Sequence, residues 1–183
     1  MSHTKVGPWT RTTTRDIYEN PWISLREDEV ITPGGNPGIY GVVHFKNIAI
    51  GVIPLDEDNN TVLVGQHRYA LDTFTWEIPM GGCPEGTKVL DTAARELAEE
   101  TGLIANTYEQ ILRTDMSNSV TDEVGYVFIA KGLTQTDMNP DDTEDLTIRH
   151  LPLADAIAMV DRGQITDLLS VAGLICLARI QGL

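Results

Sequence analysis

The stretch Gly81–Leu103, GGCPEGTKVLDTAARELAEETGL, sets how the rest of the chain is arranged. Apolar residues in its second half recur at three- and four-residue spacing: Leu90, Ala93, Ala94, Leu97 and Ala98. This periodicity predicts a helix. Gly102 follows the last of them, where a glycine commonly ends a helix. The stretch therefore predicts a glycine-rich loop that runs into an amphipathic helix.

Three glutamates on this predicted helix are candidate metal ligands. Glu96, Glu99 and Glu100 stand at positions i, i+3 and i+4, so their side chains project from one face. Carboxylates at such short separations repel one another unless a cation is present. Hard ions such as Mg²⁺ or Mn²⁺ bind carboxylate oxygens together with waters and substrate phosphates. A solvated acidic face with an Arg95–Glu99 ion pair would explain the same residues without a metal.

The motif itself resembles a known family signature. Gly81 followed by Arg95-Glu96-Leu97-x-Glu99-Glu100-x-Gly102-Leu103 is similar to the signature of the Nudix hydrolases, a glycine loop leading into a helix marked RE-U-x-EE-x-G-U, where U is a bulky apolar residue. This resemblance implies an α/β/α sandwich with a mixed sheet. It also implies metal-dependent hydrolysis of a diphosphate.

The resemblance assigns roles to residues of the motif. It implies that Glu96, Glu99 and Glu100 hold the metal, with Glu100 also counted as catalytic, and that the backbone carbonyl of Met80 or Gly81 is a further ligand. Arg95 is interpreted as a structural partner whose positive charge keeps the carboxylates ionised.

One position departs from the family pattern. The family usually carries a glutamate eight residues before the arginine, where this chain has Thr87. In the family that glutamate mainly braces the arginine, so the departure bears on helix orientation more than on metal binding. Glu85, in the same loop, is the candidate for the bracing role.

The acidic loop between Thr134 and Asp145 is the predicted source of a general base. A hydrolase needs a group that deprotonates water, because a metal only partly lowers the pKa of that water. In the Nudix branch that cleaves ADP-ribose and similar compounds, a carboxylate in the loop after the last core strand serves as the base or as an extra metal ligand. Asp142 and Glu144 are the preferred candidates, and Glu123 is a more distant one. An ordinary solvated loop explains at least two of the four carboxylates in this place, which are Asp141, Asp142, Glu144 and Asp145.

Four residues are candidates for substrate contact. Arg68, in the sequence QHRY, resembles an arginine of the ADP-ribose branch that lies about a dozen residues before the glycine loop, and a guanidinium suits a phosphate. Trp22 and Tyr18 are candidates for stacking on the base, although Trp22 is as readily explained as a core residue. Glu123 is expected near the sugar side.

Composition and charge exclude several classes of protein. The chain has 183 residues, of which 42% are hydrophobic, and a net charge of −14, which argues against binding to nucleic acid or an anionic membrane. Two cysteines give no disulfide framework or zinc motif. The opening residues lack the apolar core of a signal peptide, and no apolar run is long enough to span a membrane, so we expect a cytoplasmic protein.

The order of patterns predicts an α+β fold. Strand-like segments fill residues 1–45, which we expect to form an N-terminal β segment, and residues 46–183 are expected to form the Nudix domain. Within that domain, apolar runs on either side of the sequence DEDNN predict a hairpin, and helical spacing predicts two helices, Pro152–Asp161 and one from Thr166 to about Ile180.

The N-terminal strands also predict assembly. They precede a core that looks complete without them, and isolated strand pairs are marginal in water. We therefore expect a homodimer in which this segment covers the partner's site, with Trp22 as an interface anchor.

The sequence as a whole favours hydrolysis of the pyrophosphate bond in a small-molecule nucleoside diphosphate sugar, with ADP-ribose the leading candidate. Two alternatives stay open: a Nudix enzyme that cleaves nucleoside triphosphates, and a non-catalytic Nudix domain that senses nucleotide sugars. The three intact glutamates argue against the sensor, because a sensor has no need of them.

Overall fold

The structure, a computed structural model, describes residues 3–139 and 145–183. It divides into two compact units, Met1–Ile48 with Asp115–Val124 and Ala49–Thr114 with Gly125–Leu183. The strands are β1 Thr4–Val6, β2 Trp9–Glu19, β3 Ile23–Ile31, β4 Pro37–Phe45, β5 Asn47–Leu55, β6 Asn60–Arg68, β7 Thr73–Glu77, β8 Met80–Pro84, β9 Leu103–Asp115, β10 Val124–Gln135 and β11 Thr147–Pro152. The helices are α1 Val89–Thr101, α2 Leu153–Asp161 and α3 Leu168–Gln181.

The first unit is an antiparallel sheet in the order β1-β2-β3-β4. Trp9 packs edge-to-face on Tyr40 with ring centroids 5.5 Å apart. The buried Asp28 carboxylate accepts a hydrogen bond from the Thr14 hydroxyl at 2.7 Å, and Arg26 lies 3.4 Å from it. Thr14 on the neighbouring strand β2 and Arg26 on β3 itself thus compensate this buried charge.

A segment from much later in the chain completes this unit. The Val43 amide donates to the Val120 carbonyl at 2.9 Å, and the Tyr40 hydroxyl donates to the Ser119 carbonyl at 2.6 Å. His44 Nδ1 lies 2.7 Å from the Asp122 carboxylate. A sequence boundary at residue 45 does not anticipate this segment, because only tertiary contacts bring it to the strands.

The second unit contains two sheets, in the orders β8-β5-β10-β9 and β11-β6-β7. Strand β5 runs parallel to β10, with Ile50 opposite Tyr126, whereas β6 pairs antiparallel with both of its neighbours. The predicted α+β class with mixed strand directions is confirmed.

The hairpin predicted around DEDNN is only partly right. A tight turn is present, in which the Asp56 side chain accepts hydrogen bonds from the Asp58 and Asn60 amides at 3.0 and 2.7 Å. The two flanking strands nevertheless belong to different sheets. Most of β5 and β6 is buried, so each strand takes the middle place of its own sheet.

The three helices form where apolar periodicity predicts them. Helix α1 buries Ala93 and Leu97 and ends at Gly102, which has the left-handed φ of 66°. Asp167 caps α3, accepting a hydrogen bond from the Ser170 amide. The glycine loop differs from expectation in one respect, because Met80–Pro84 forms a short strand. None of the described helices is long and apolar enough to cross a membrane.

A comparison of two glycines in this unit shows what position 102 requires of its residue. Gly102 and Gly163 have almost equal φ values, +66° and +67°, but a Cβ at Gly102 would lie 2.8 Å from the Thr136 carbonyl oxygen, whereas Gly163 has open space. We expect Gly163→Ala to lower the free energy of unfolding by about 1 kcal/mol through backbone strain. Gly102→Ala should cost about 3 kcal/mol, because crowding adds to the strain. Urea denaturation measures both, and equal losses would contradict this explanation.

Candidate active site

The glutamates of α1 lie on its inner face. Glu96 and Glu100 are buried, with 6% and 0% of their surface exposed, beside the core residues Ala93 and Leu97. The Glu99 side chain is more open, with 32% exposed. Burial of carboxylates is costly unless they are paired or bind a cation. A helix built only for solubility would place these residues outside, so the solvated acidic face is not what the structure shows.

Arg95 joins two of these carboxylates. Its guanidinium donates to Glu96 and to Glu99, at 2.5 Å in each case, and more weakly to the Gly82 carbonyl at 3.3 Å. Partial burial by itself would lower the pKa of Arg95, but the attraction of Glu96 and the hydrogen bond to Glu99 outweigh it and the pKa is raised. Arg95 therefore stays charged and offsets the repulsion between its neighbours.

The expectation that Glu85 braces Arg95 is wrong. Glu85 is exposed, and the partners of Arg95 among the described residues are Glu96, Glu99 and the Gly82 carbonyl. Thr87 is also exposed, and its amide closes a turn on the Pro84 carbonyl at 3.1 Å. Contacts within the motif thus hold the arginine without a glutamate at position 87.

The start of β8 is pressed against the same glutamates. The Met80 amide donates to Glu100 Oε2 at 2.9 Å. At Gly81, a Cβ atom would overlap the carboxyl group of Glu96, so only glycine lets the strand approach this closely. The structure therefore brings Met80 and Gly81 to the predicted carboxylates, although the contact seen at Met80 is made by its N–H.

Arg68 has a partner that the sequence analysis missed. Its Nε donates to Glu77 Oε1 at 2.9 Å and its Nη2 donates to Oε2 of the same residue. Glu77 is 2% exposed and also accepts the Thr75 hydroxyl at 2.6 Å. The hydrogen bond that Arg68 donates to Glu77 is the main cause that raises the pKa of Arg68. A charged residue inside the apolar run TWEIPM was the available signal for this pair.

The outer side of Arg68 faces a cavity. With 37% of its side chain exposed, it lines a cavity of about 240 Å³ together with Leu71, Thr75, Glu77 and Asp167, among others. Two of the five guanidinium N–H groups bond Glu77. The others are directed by that fixed geometry and are suited to an anionic ligand.

The aromatic candidates lie in the first unit and are open to solvent. Trp22 is 66% exposed and Tyr18 55%, so the interpretation of Trp22 as a core residue is wrong for this chain. The Asn20 side chain accepts hydrogen bonds from the Trp22 and Ile23 amides at 2.9 and 2.8 Å, and this turn presents the indole outward. Trp76, by contrast, packs against Phe74.

The described part of the chain reaches the start of the acidic loop but does not include its two preferred carboxylates. Asp142 and Glu144, with Asp141, lie outside the described residues. Just before them, the Asn139 amide donates to the Glu99 carbonyl at 3.1 Å. The third candidate, Glu123, belongs to the first unit, where its carbonyl accepts the Met116 amide at 2.9 Å.

Two known protein families match this chain, and their matches include the residues of the candidate site. Residues 45–169 match the NUDIX domain, and residues 9–43 match the N-terminal domain of nucleoside diphosphate sugar hydrolases. The chain belongs to the Nudix family. The first match covers the glutamate helix and the Arg68–Glu77 pair, and the second covers Trp22 and Tyr18.

Several relatives span most of this Nudix chain. An ADP-ribose pyrophosphatase of Mycobacterium tuberculosis is 34% identical over 87% of this chain and 78% of its own length. A methanol dehydrogenase activator of Bacillus methanolicus is 30% identical over 84% of each chain. A crystal structure of an ADP compounds hydrolase has a TM-score of 0.85 at 18% identity and covers 98% of both chains, which shows the shared fold.

Nudix hydrolases generally use divalent metal ions, and the residues of α1 fit such an ion. The three glutamates offer only oxygen atoms, the donors that hard divalent cations prefer. In residues 3–139 and 145–183, no three His, Cys, Asp or Glu side chains are already arranged as a ligand set. Arg95 gives the reason, because it holds the carboxylates of Glu96 and Glu99.

Proposed function

We propose that this Nudix protein hydrolyses the pyrophosphate bond of a nucleoside diphosphate sugar, with ADP-ribose the leading candidate and Mg²⁺ or Mn²⁺ as the ion. The products are a nucleoside monophosphate and a sugar phosphate. The observation that carries the proposal is the burial of Glu96 and Glu100 against the backbone of Met80 and Gly81. The N-terminal match at residues 9–43 and the relatives named ADP-ribose pyrophosphatase favour this substrate class.

Glu96, Glu99 and Glu100 would hold the metal, with the carbonyl of Met80 or Gly81 as a further ligand. When bound, the ion neutralises phosphate charge and makes its water more acidic. Arg95 pairs with Glu96 and Glu99, so these ion pairs would have to rearrange for the two carboxylates to hold an ion. Arg95 thus keeps the carboxylates close together before the ion arrives.

Arg68 is proposed to bind a phosphate of the substrate. The buried Glu77 holds the guanidinium by two of its N–H groups, and Arg68 also lines the cavity, where its remaining N–H groups would meet a phosphate. This fixed orientation removes much of the entropy cost that a free arginine would pay on binding. Positive charge at Arg68 and the ion would also reverse the local field in a chain whose net charge is −14.

A loop carboxylate, Asp142 or Glu144, is proposed as the general base that takes a proton from the attacking water. Support comes from the point where the chain enters this loop, because the Asn139 amide is hydrogen-bonded to the Glu99 carbonyl on α1. The Thr136 amide is likewise bonded to the Gly102 carbonyl at 2.7 Å. Through these two hydrogen bonds, the start of the acidic loop lies beside the C-terminal end of the glutamate helix.

The proposed assembly is a homodimer in which Trp22 or Tyr18 of one subunit helps enclose the base in the other. Their exposure supports this role, since large exposed aromatic side chains are common anchors of interfaces. Both cysteines are free, which suits a reducing compartment, and we place the enzyme in the cytoplasm.

A substrate panel tests the reaction. Nucleoside diphosphate sugars and nucleoside triphosphates are incubated with Mg²⁺, with Mn²⁺ and with EDTA, and released monoesters are converted to phosphate by an added phosphatase. Metal-dependent turnover of the diphosphate sugars, led by ADP-ribose, is expected. Turnover restricted to triphosphates would overturn the substrate assignment, and binding of ADP-ribose without turnover would favour the sensor.

Substitution of a single glutamate tests the metal site. We expect Glu100→Gln to lower kcat by at least about 10²-fold, which corresponds to about 3 kcal/mol of transition-state stabilisation. The fold should survive, because the change removes one like charge from the cluster. Glu109→Gln, the same chemical change at an exposed position of β9, is the control and should leave kcat unchanged. Near-normal turnover of Glu100→Gln would remove the glutamate helix from the mechanism.

The loop carboxylates should respond differently. A general base contributes about 10²–10⁴-fold to the rate, so either Asp142→Asn or Glu144→Gln is expected to lose activity by that factor while the dissociation constant for Mn²⁺ stays nearly unchanged. Asp145→Asn, in the same loop, is the control. If both variants keep full activity, the base lies elsewhere.

The dimer is best tested by point variants. Deletion of residues 1–45 would also strip Ser119, Val120 and Asp122 of their hydrogen-bond partners. Loss of base stacking in Trp22→Ala should raise KM by about 5- to 150-fold with little change in kcat, since stacking contributes about 1–3 kcal/mol per base. Ile39→Ala, 70% exposed in the same sheet, is the control. Light scattering that shows a monomer at micromolar concentration would refute the shared site.

A further inference from the structure

The linker segment 78–80, which leads from β7 into the first residue of β8, is held by side chains at both of its backbone N–H donors. The Ile78 amide donates to the Ser170 hydroxyl oxygen at 3.1 Å, and the Met80 amide donates to Glu100 at 2.9 Å. Pro79, between them, has no N–H group. Its carbonyl accepts the Val52 amide at 2.8 Å. The path of the chain into Gly81 therefore depends on Ser170 as well as on the glutamate.

The direction of the Ser170 hydrogen bonds is fixed by the start of α3. The Ser170 amide and hydroxyl both donate to Asp167 Oδ2 at 2.8 Å. Because the hydroxyl proton is directed to Asp167, the oxygen lone pairs remain for the Ile78 N–H. Ser170 is fully buried, as is Ile78, so water does not substitute for either partner.

Strand β8 packs very closely against α1 at Gly81. Gly81 lies so near the Glu96 carboxyl group that even a methyl group would overlap it. A small shift of the preceding linker therefore changes how the backbone at Met80 and Gly81 stands relative to Glu96 and Glu100. Groups that orient metal ligands from outside the ligand set commonly affect metal affinity by about 10- to 100-fold.

We infer that Ser170, held by Asp167, is a positioning residue that sets metal affinity through the Ile78–Gly81 backbone. The inference rests on the proposed metal site at the α1 glutamates. It makes the capped start of α3 part of the metal site's support, although α3 itself supplies no proposed ligand. Loss of the hydroxyl leaves the buried Ile78 N–H unsatisfied, and the linker moves to find another acceptor.

Binding of Mn²⁺ to the full-length protein, followed by the electron paramagnetic resonance signal of the free ion, tests this inference. Ser170→Ala should raise the dissociation constant by about 10- to 100-fold. Ser170→Thr keeps the hydroxyl and should keep an affinity near wild type, even if the added methyl group lowers Tm. Ala178→Gly, within the same helix, should lower Tm without changing Mn²⁺ affinity, which controls for general destabilisation.

A second readout needs no metal. In the metal-free protein, Ser170→Ala should speed hydrogen exchange at the Met80 amide, and Ala178→Gly should not. If Ser170→Ala does not fold, Asp167→Asn serves instead, because asparagine still caps the helix but accepts the hydroxyl proton less strongly. It should weaken Mn²⁺ binding in the same direction.

The outcomes separate this inference from the proposed function. Unchanged Mn²⁺ affinity in Ser170→Ala, or in Asp167→Asn where that variant is used, overturns the positioning role. An equal loss of Mn²⁺ affinity in Ala178→Gly also overturns the positioning role, because general destabilisation would then explain the effect. If Glu100→Gln also binds Mn²⁺ as tightly as wild type, the metal site at α1 is wrong, and this inference falls with it. A strong effect in Glu100→Gln with none in Ser170→Ala overturns the inference alone.

Discussion

Close packing of one strand against two buried carboxylates is the constraint on which the candidate site depends. Glu96 and Glu100 face the core side of α1, and the backbone at Met80 and Gly81 lies directly over them. Such burial is unfavourable for charged groups unless they are compensated. Here a backbone N–H and the Arg95 guanidinium provide that compensation, and the same carboxylate oxygens suit a divalent ion.

Two arginines serve this site in different ways. Arg95 neutralises glutamates within the motif, whereas Arg68 is bound by Glu77 and lines a cavity. A bidentate bond to a buried carboxylate makes Arg68 rigid, which is more useful for recognising a phosphate than a mobile charge. The strongly acidic chain thereby carries a fixed positive charge at the residue proposed to bind phosphate.

Several features were predictable because local residue patterns specify them. The glutamate spacing, the helix end at Gly102 and the two terminal helices follow from periodicity and backbone conformation, which act within a few residues. Other features could not be predicted from local residue patterns. The turn after β5 was evident from DEDNN, but nothing local says that β5 and β6 enter different sheets, because strand partners are chosen by burial across the whole unit. The support that Ser170 gives to Ile78 joins residues far apart in sequence.

The sequence by itself determined the family signature, the helix that carries the glutamates and the strongly negative net charge, since each depends on residue type and short-range spacing. Tertiary structure decided which side of that helix is buried, that Glu77 and not solvent pairs with Arg68, and that Trp22 is exposed. It also brought Asp115–Val124 to the N-terminal strands. Packing and charge compensation between distant segments fix these features, and a linear pattern does not encode those distances.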